Sequence, residues 1–469
     1  MSKYIRKPEA VLAVQKKYEK FNLKDNPFPY DPIVVPDAED IRKNGTIYNE
    51  QIKSDEFNNF KSKLLDQDLN SNNIRLAYLI DSAYTGRGNG KSAFLVHMQK
   101  IINEDYGEKL SNGKNKVFAV YVRPEPGENI SRFWQLSEKI IRQMAKGNIF
   151  KDCMITLRYL GLSKMRHTKV LKNLKKDEDF EKLLDDKWLV ENKVNVANLR
   201  SKMDELLTTA GISYELIRFI LISPYKTSDS IVNYACNRPD SWKKKNISNF
   251  LFDELVRFFI MMNYNGAYIL LDEFEKIVDI QKVLEKDELA SEIRQFFLEG
   301  NQQGPILGFF MLIMAMHPGV PRLIIESWEK SGLNARAPLP TKGEDGPHVV
   351  FFNNLQKENI RVLIKEYLDN FRLNKLSEND IAPFEEESII KIAELANSNA
   401  AKTLRFANIA LNELVKSDSD LVSVTFLNRL VARKKQFPQE DITSPDFLKR
   451  DNSPIEDSLS SIKWSTEKN

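Results

Sequence analysis

Short, continuously apolar runs alternate along much of this chain with longer stretches of helical spacing. A run that is apolar at every position is typical of a parallel strand buried on both faces, and apolar residues three or four apart indicate an amphipathic helix. The predicted strands are residues 74–81, 117–122, 267–272, 306–316 and 348–352. The predicted helices between them are residues 91–104, 130–146, 247–263 and 286–299. This alternation predicts an α/β domain with a five-stranded parallel sheet and helices on both faces.

Two long regions show helical spacing without any run that resembles a strand. Residues 150–246 lie between the second and third predicted strands and predict a large helical insertion. Residues 355–435 follow the last strand and predict an all-helical C-terminal unit. The predicted boundaries are an N-terminal arm at 1–70, a first part of the α/β core at 71–149, the insertion at 150–246, a second part of the core at 247–354, the helical unit at 355–435 and a mobile polar tail at 436–469.

The first predicted strand ends in a glycine-rich loop that leads into a helix. Such a loop directs backbone N–H groups and the helix N-terminus at an anion, which is the context of a Walker A phosphate site. In that motif Lys91 contacts the β- and γ-phosphates and the Ser92 hydroxyl binds Mg²⁺. The residues expected around the phosphates are Thr85, Gly86, Arg87, Gly88, Asn89, Gly90, Lys91, Ser92 and Ala93. Thr85 replaces the first glycine of the pattern, and a plain glycine-rich turn before a helix is the alternative.

A pair of carboxylates follows the third predicted strand. The apolar run that begins at Ala267 ends in Asp272 and Glu273. Because ligands bind at the carboxyl ends of parallel strands, Asp272 is expected to hold Mg²⁺ through water and Glu273 to polarise an attacking water. Seen alone, the pair would fit a solvated strand end equally well. Together with the Lys91-Ser92 loop it predicts a nucleoside-triphosphate site.

Composition limits the classes of protein to which the chain can belong. Its 469 residues are 42% hydrophobic and 29% charged, and no apolar run approaches the ~20 residues that span a bilayer. A charged start without a signal-peptide core, with Cys153 and Cys236 as the two cysteines, predicts a reducing cytoplasm. The net charge of +3 does not itself indicate nucleic acid. Basic residues concentrate at 164–176, where a solvated helical surface and a nucleic-acid contact both stay open.

The order of these features resembles an AAA+ P-loop ATPase, and more narrowly the initiator-type clade of origin-recognition proteins and transposition ATPases. The resemblance rests on a loop ending in Lys91-Ser92 after the first strand, Asp272-Glu273 after the third, and an all-helical unit at the end. It implies an AAA+ sheet with a C-terminal helical lid over bound ATP. The segment from Phe21 to Phe28 is similar to one that packs near the adenine in that clade. The insertion and Leu-Asp-Glu-Phe-Glu at 271–275 are also similar to ATP-binding subunits of BREX-type antiphage systems.

The AAA+ resemblance implies roles for residues outside the two motifs. His317 occupies the position of the polar sensor 1 residue, which is often asparagine in this family. Arg336 lies in the segment of the arginine finger, which inserts into a neighbouring subunit's site, and Arg294 and Arg322 compete for this role.

A further segment, 397–405, resembles the lid motif that contains the sensor 2 arginine. In strict register that arginine falls on Ala401, so either Lys402 or Arg405 substitutes for it or the sensor is absent.

These features predict a Mg²⁺-dependent ATPase whose site is completed at a subunit interface of a homo-oligomer or hetero-assembly. The expected partner is a protein or DNA, in a bacterial defence or DNA-transaction system. Two alternatives stay open. Thr85, His317 and Ala401 depart from the family pattern and favour a nucleotide-gated scaffold with little hydrolysis. The basic stretch favours a DNA-binding loader.

Overall fold

Five parallel strands form one sheet in the part of the chain that can be described. The computed structural model describes residues 17–66, 74–82, 88–104, 116–125, 127–222, 226–299, 308–340, 346–377 and 380–435. The strands are β1 Leu76–Asp81, β2 Val117–Val122, β3 Gly266–Leu271, β4 Phe310–Met316 and β5 Val349–Phe352. They are hydrogen-bonded in the order β2-β3-β4-β1-β5, with each neighbouring pair parallel. The predicted α/β class with a five-stranded parallel sheet is confirmed.

The strand bounds differ slightly from those expected. β2 begins and ends as predicted, β1 begins two residues later than predicted, and β5 begins one residue later. β4 begins at Phe310, and residues 306 and 307 of its predicted range lie outside the described residues. β3 ends at Leu271, so Asp272 is the first residue after the strand. Each strand is buried along almost its whole length, which explains why a continuous apolar run predicted them.

The strand order places a switch point between β1 and β4. The chain leaves β1 for β2 at one edge of the sheet, and it leaves β4 for β5 at the other edge. Because these neighbouring strands have connections in opposite directions, their loops diverge and leave a crevice outside the carboxyl ends. Asp81 is the last residue of β1 and His317 follows β4, so both lie at this crevice.

The two faces of the sheet pack against different helices. Side chains alternate between faces along a strand, and the face that contains Tyr78 and Met314 joins one large apolar cluster with the helices between β2 and β3. The other face contains Asp81 and, in register with it, Phe352. The ring of Phe94 packs on Phe352 at 5.0 Å, so the helix that contains Phe94 covers the Asp81 face.

The described residues fall into two compact units. Unit 1 contains the described residues within 1–53, 83–90 and 353–469. Unit 2 contains the described residues within 54–82 and 91–352. The helices of unit 2 are α1 Ser54–Phe60, α2 Lys91–Ile101, α3 Phe133–Lys146, α4 Ile149–Lys164, α5 Thr168–Lys172, α6 Asp177–Glu181, α7 Asp186–Glu191, α8 Val196–Thr209, α9 Tyr214–Ile222, α10 Thr227–Ala235, α11 Asp240–Asn249, α12 Leu255–Met261, α13 Glu275–Val278, α14 Val283–Ile293, α15 Val320–Lys330 and α16 Leu333–Arg336. Those of unit 1 are α17 Lys357–Phe371, α18 Glu386–Leu395, α19 Ala400–Val415 and α20 Val424–Lys435.

The segment between β2 and β3 is helical, as its spacing predicted, and within unit 2 it packs onto the sheet. Phe259 of α12 contacts Phe118 of β2 at 4.9 Å between ring centroids and Phe150 of α4 at 5.9 Å. Local caps begin several of these helices: the Asn195 side chain accepts a hydrogen bond from the Asn198 N–H at 3.1 Å at the start of α8. The insertion helices therefore share one apolar core with the sheet.

Unit 1 joins the N-terminal arm to the C-terminal helices. Phe28 of the arm packs against Tyr367 and Phe384, with ring centroids 6.2 and 5.7 Å apart. The Asn408 side chain of α19 donates to the Phe28 carbonyl at 2.6 Å. Within the described ranges, every helix is too short or too polar to cross a bilayer.

Candidate functional site

Polar side chains lie at the carboxyl ends of four neighbouring strands, on the face of the sheet that contains Asp81. Tyr121 lies near the end of β2, and Asp272 and His317 follow β3 and β4. The register pairs Tyr121 with Leu270 and Ile80 with Met316, so alternation puts Tyr121, Asp272, His317 and Asp81 on one face. β4 alone separates β1 from β3, which places their ends roughly 10 Å apart.

Lys91 begins α2 and forms an ion pair with Asp81. The ammonium group contacts Asp81 Oδ2, and the two side chains are 14% and 1% exposed. A carboxylate this deeply buried is costly unless a cation or hydrogen-bond donors compensate it. Lys91 therefore balances the buried charge at the end of β1. Ser92 and Ala93 occupy the same first turn and are half-buried.

The glycine-rich loop is described only in its last three residues. Thr85, Gly86 and Arg87 lie outside the described residues. Gly88 and Gly90 have φ values of +110° and +93°, a region that glycine adopts without the strain imposed by a Cβ atom. Gly88, Asn89 and Gly90 belong to unit 1, whereas Lys91 and Ser92 belong to unit 2.

Asp272 is buried and held by two donors. The Tyr121 hydroxyl donates to Asp272 Oδ2 at 2.7 Å, and the Glu273 N–H donates to Asp272 Oδ1 at 2.9 Å. Burial and the charge of Asp272 raise the pKa of Tyr121 far above its ordinary value, so its hydroxyl stays a donor. Each carboxylate oxygen can accept further bonds, so Asp272 has a fixed orientation and retains acceptor capacity for a cation or its water.

Glu273 is held by two cations, Arg123 and Lys276, which we call the Glu273 clamp. Arg123 donates through Nε to Oε2 at 2.8 Å and through Nη2 to Oε1 at 3.1 Å. Lys276, one turn along, forms an ion pair with Oε2. Burial alone would raise the pKa of Glu273, but the hydrogen bonds and charges of Arg123 and Lys276 outweigh it and lower that pKa below the ordinary glutamate value. The carboxylate is therefore ionised, and both of its oxygens accept hydrogen bonds from cations.

The backbone of Glu273 adopts an unusual conformation. Its φ is +52°, in the left-handed region that costs a non-glycine residue roughly 1–3 kcal/mol. The Glu273 N–H can donate to Asp272 Oδ1 in this conformation. Such outliers cluster at functional sites, where the surrounding structure holds them in place. The observation therefore favours a functional role for the Asp272-Glu273 turn.

The residues present fit a magnesium ion bound together with phosphate. No group of three or more His, Cys, Asp or Glu side chains within the described residues is arranged to hold a metal ion. Mg²⁺ in phosphate sites takes one or two carboxylates and completes its shell with phosphate oxygens and water. Ser92 and the oriented, buried carboxylate of Asp272 supply oxygen donors of this kind.

His317 lies directly after β4 in the crevice. Its Nδ1 accepts a hydrogen bond from the Gly319 N–H at 3.2 Å. In a neutral imidazole the other ring nitrogen then bears the proton. His317 can therefore present an Nε2–H donor at the switch point, which is the same hydrogen-bonding capacity that an asparagine amide would offer.

The three arginines considered for a role in a neighbouring site differ in their environment. Arg336 ends α16, is exposed, and has no ion pair or hydrogen bond to another described residue. Arg294 donates to the Ser331 carbonyl and binds Glu299 at 2.5 Å. Arg322 also makes contacts within its own chain. Of these three arginines, Arg336 therefore has the fewest contacts with the described residues.

A buried hydrogen-bonded pair fixes the segment that contains Arg336. Trp328 Nε1 donates to the Tyr78 hydroxyl at 3.0 Å, and that hydroxyl donates to the Ala337 carbonyl at 2.8 Å. Tyr78 lies in the middle of β1. The position of Arg336 is therefore fixed relative to the strand that leads into the glycine-rich loop.

The two candidates for a lid cation lie in unit 1. Lys402 is in the first turn of α19, where its N–H donates to the Asn399 side chain at 3.1 Å. Arg405 stacks on Tyr30 of the N-terminal arm at 5.1 Å from the ring centroid. Arg405 therefore has an aromatic partner in its own unit, and Lys402 keeps a half-exposed side chain.

Four residues of the site were not identified from the sequence: Asp81 as the partner of Lys91, Tyr121, Arg123 and Lys276. One signal was available. Tyr121 and Arg123 end an apolar run in the same way as Asp272 and Glu273 do, and polar residues at the carboxyl end of a strand are expected at the ligand edge of a parallel sheet.

The chain matches no protein-family profile and none of the curated proteins searched.

Proposed function

We propose that this protein is a Mg²⁺-dependent ATPase of the AAA+ type, with an initiator-like or BREX-like layout. The observation that best supports this function is the shared face at the carboxyl edge of the sheet. Lys91 and Ser92 begin the helix that covers this face, and Asp272 and Glu273 follow the strand two positions away. When bound, Mg²⁺ supplies charge neutralisation at the transferred phosphoryl group.

In the proposed mechanism Lys91 exchanges one anion for another. It pairs with Asp81 in the structure described, and it would turn from that carboxylate to the β- and γ-phosphates. Because both partners are anionic, the ammonium group stays compensated throughout. Ser92 and Asp272 would hold the metal, and Tyr121 keeps Asp272 oriented for that task.

Glu273 would orient and polarise the attacking water. A carboxylate that accepts bonds from Arg123 and Lys276 is a weak base, because both cations stabilise its ionised form. Catalysis therefore requires at least partial release of the Glu273 clamp. His317, at the end of β4, would donate a hydrogen bond to the water or to the γ-phosphate.

Arg336 would complete the site of a neighbouring subunit. An exposed guanidinium on a segment fixed by Tyr78 and Trp328 can be presented to another molecule without reorganisation of its own chain. In related phosphoryl transfers such an arginine contributes about 10³-fold or more in rate. This role implies assembly of several copies or of a hetero-complex.

The decisive experiment compares wild type with Glu273→Gln. We expect the substitution to lower kcat by about 10²–10⁴-fold, because it removes the general base and keeps the shape of the side chain. Calorimetry should show that Mg²⁺-nucleotide binding is retained in Glu273→Gln and lost in Lys91→Ala.

Two other outcomes would contradict this proposal. Equal turnover in wild type and Glu273→Gln would remove Glu273 from the chemistry. Tight nucleotide binding with wild-type turnover far below ~1 s⁻¹ would favour a nucleotide-gated scaffold over an ordinary ATPase.

A DNA partner is a second candidate function, and the surface at 164–176 favours it. Lys164, Arg166, Lys169, Lys172 and Lys176 are exposed and form no ion pair with the described residues. The neighbouring acidic residue Asp179 instead accepts from the backbone N–H groups of 175 and 176 and from the Lys182 side chain. The basic surface is therefore not neutralised by the acidic residues beside it.

The salt dependence of binding to a duplex of random sequence tests this candidate. Each phosphate contact that is removed should reduce the slope of log K against log salt by about 0.9. We expect Lys172→Gln/Lys176→Gln to flatten that slope. The control Lys391→Gln/Lys416→Gln, in α18 and directly after α19 of unit 1, should leave it unchanged. Binding that does not depend on salt would exclude this role for the basic surface.

A further inference from the structure

Two aromatic side chains lie beside the basic surface of unit 2. Tyr159 of α4 is 37% exposed, and its ring centroid lies 6.0 Å from that of Phe180 in α6, with the two ring planes tilted by 38°. Phe180 is half-buried. We call these two residues the aromatic pair. Phe180 supports Tyr159, and Tyr159 keeps part of its surface in contact with solvent.

The segment that follows α4 runs back along that helix. Near its start the His167 N–H donates to the Leu162 carbonyl of α4 at 3.1 Å. At its end Glu181 binds Lys151 of α4 at 2.7 Å. Contacts that advance from 167 to 181 therefore go backwards on α4 from 162 to 151, which is roughly 16 Å at 1.5 Å per residue. The aromatic pair lies between these two contacts, and the lysines from 169 to 176 lie between the first contact and the pair.

The positive charge of this segment exceeds the negative charge beside it. Its basic side chains that are exposed and form no ion pair within the described ranges are Arg166, Lys169, Lys172, Lys175 and Lys176. Two of the neighbouring acids are paired, Asp179 with Lys182 and Glu181 with Lys151. Glu178 is exposed and has no ion pair in the part of the chain that the structure describes. Such an excess of exposed cations favours a polyanionic partner.

From this arrangement we infer that the surface binds single-stranded DNA, with a base stacked on the Tyr159 ring and backbone phosphates against the cations of 166–176. This inference rests on the second candidate function, the DNA partner. Proteins that hold single strands combine positive charge along the backbone with aromatic side chains on which unpaired bases stack. Charge alone does not specify whether the partner is a duplex or a single strand. The aromatic pair does.

A partly exposed aromatic ring responds differently to the two forms of DNA. In a duplex the faces of each base are covered by the neighbouring base pairs, so a protein surface meets phosphates and the edges of bases in the grooves. Lysine side chains can contact the phosphates of either form. An aromatic ring can stack only on a base whose face is uncovered. The cations should therefore contribute to binding of both forms, whereas Tyr159 should contribute to binding of the single strand alone.

Replacement of the tyrosine ring at constant charge tests the inference. Tyr159→Leu keeps an apolar contact for Phe180 and removes the flat face, whereas Tyr159→Phe, the matched control, keeps that face. Fluorescence anisotropy with labelled oligo-dT and with a random-sequence duplex of the same length measures both affinities. We expect Tyr159→Leu to bind oligo-dT about tenfold more weakly than wild type and to bind the duplex equally well. Tyr159→Phe should bind both probes as wild type does.

An exposed tyrosine elsewhere on unit 2 supplies a second control. Tyr214 of α9 is 71% exposed, and Tyr214→Leu should leave oligo-dT binding unchanged. The inference is overturned if Tyr159→Leu binds oligo-dT as wild type does, if it loses affinity for both probes equally, or if Tyr214→Leu has the same effect.

A fluorescence measurement reports the stacking itself and does not depend on the loss of a contact. Tyr159→Trp places an indole at this position, and a base stacked on an indole quenches its fluorescence. Oligo-dT should therefore quench this variant more than it quenches wild type, which contains five tryptophans. Equal quenching of the two proteins would contradict the inference.

Binding by the wild-type protein distinguishes failure of this inference from failure of the DNA function. Lys172→Gln/Lys176→Gln should reduce the salt slope for both probes, by about 0.7 per lost contact for the single strand and about 0.9 for the duplex. If wild type binds neither probe, the DNA partner and the inference are both overturned. If wild type binds both probes and Tyr159→Leu changes neither affinity, only the inference is overturned. None of these measurements contains nucleotide, so they are independent of the ATPase proposal.

Discussion

The ends of β1 and β3 hold their charged groups in opposite ways. At β1 a cation, Lys91, is paired with one buried anion, Asp81. At β3 an anion, Glu273, is paired with two cations, Arg123 and Lys276. Under the proposed function, an arriving triphosphate would compete with Asp81 for Lys91, whereas it would attract the cations of the Glu273 clamp. The same negative charge would then release both groups, Lys91 by replacing its anionic partner and Glu273 by drawing its cationic partners away.

This comparison also distinguishes the Lys91–Asp81 pair, which is held tightly, from the Glu273 clamp, which must open in the proposed mechanism. The Lys91–Asp81 pair is buried more deeply than the Glu273 clamp, whose side chains are 19–31% exposed. Asp272, the residue before Glu273, has a neutral donor in Tyr121. Stability should depend most on the β1 pair, metal binding on Tyr121 and pH dependence on the clamp.

The largest expected effect follows from removing the anion at β1. Asp81→Asn leaves Lys91 without its buried partner and should lower the free energy of unfolding by about 3 kcal/mol in the absence of nucleotide. Phosphate can then supply the missing charge, so Mg²⁺-ADP should stabilise this variant more than it stabilises wild type. Denaturant unfolding with and without Mg²⁺-ADP measures both quantities.

The control for the β1 pair removes both charges. Asp81→Leu/Lys91→Met should recover much of the lost stability, since a buried pair can often be replaced by apolar residues, but it should not respond to nucleotide. If Asp81→Asn unfolded at the same denaturant concentration as wild type, the pair would contribute nothing to stability.

A smaller effect is expected from Tyr121→Phe. The substitution removes the donor on Asp272 Oδ2 and keeps the ring, so affinity for Mg²⁺ in the presence of ADP should fall about tenfold, as for other outer-shell partners of metal ligands. Titration of Mg²⁺ against a fluorescent ADP analogue measures this change. Tyr78→Phe removes another buried tyrosine hydroxyl and should leave the Mg²⁺ titration unchanged. Equal changes in both variants would indicate a general packing effect.

The smallest effect concerns pH. Arg123 and Lys276 lower the pKa of Glu273, so its ionised form is stabilised above the ordinary glutamate pKa and that stabilisation is lost as pH falls through the lowered value. Arg123→Met removes one cation, and the pKa of Glu273 should rise. The acidic limb of kcat/KM should therefore move to higher pH than in wild type. If the acidic limb of kcat/KM did not move in Arg123→Met, Glu273 would not be the group whose titration produces that limb.

The sequence was sufficient to predict the strands and to locate the two polar motifs that follow β1 and β3. A continuous apolar run identifies a strand buried on both faces, which is why β2 was predicted to the residue. Asp272 was selected because it directly follows such a run, and Lys91 because it ends a glycine-rich loop that follows another. The AAA+ identity, the C-terminal lid and ATP hydrolysis stay predictions.

The partners of these residues could not be found, because they depend on strand order. Tyr121 and Asp272 are 151 residues apart in the sequence, and they meet because β2 is hydrogen-bonded to β3. An apolar run does not specify which strand will be its neighbour. The same is true of the hydrogen bond from the Ala401 N–H to the Gly88 carbonyl, which joins two segments that are far apart in the sequence.

The place of β2 at the border of the sheet has a mechanical consequence. A shift of β1, β3 or β4 disrupts two ladders of hydrogen bonds, whereas a shift of β2 disrupts one. The strand that leads into Arg123 is thus among the least costly to displace, and its chain continues directly into the insertion helices. A force applied to those helices would therefore reach Glu273, through Arg123, before it reached Lys91.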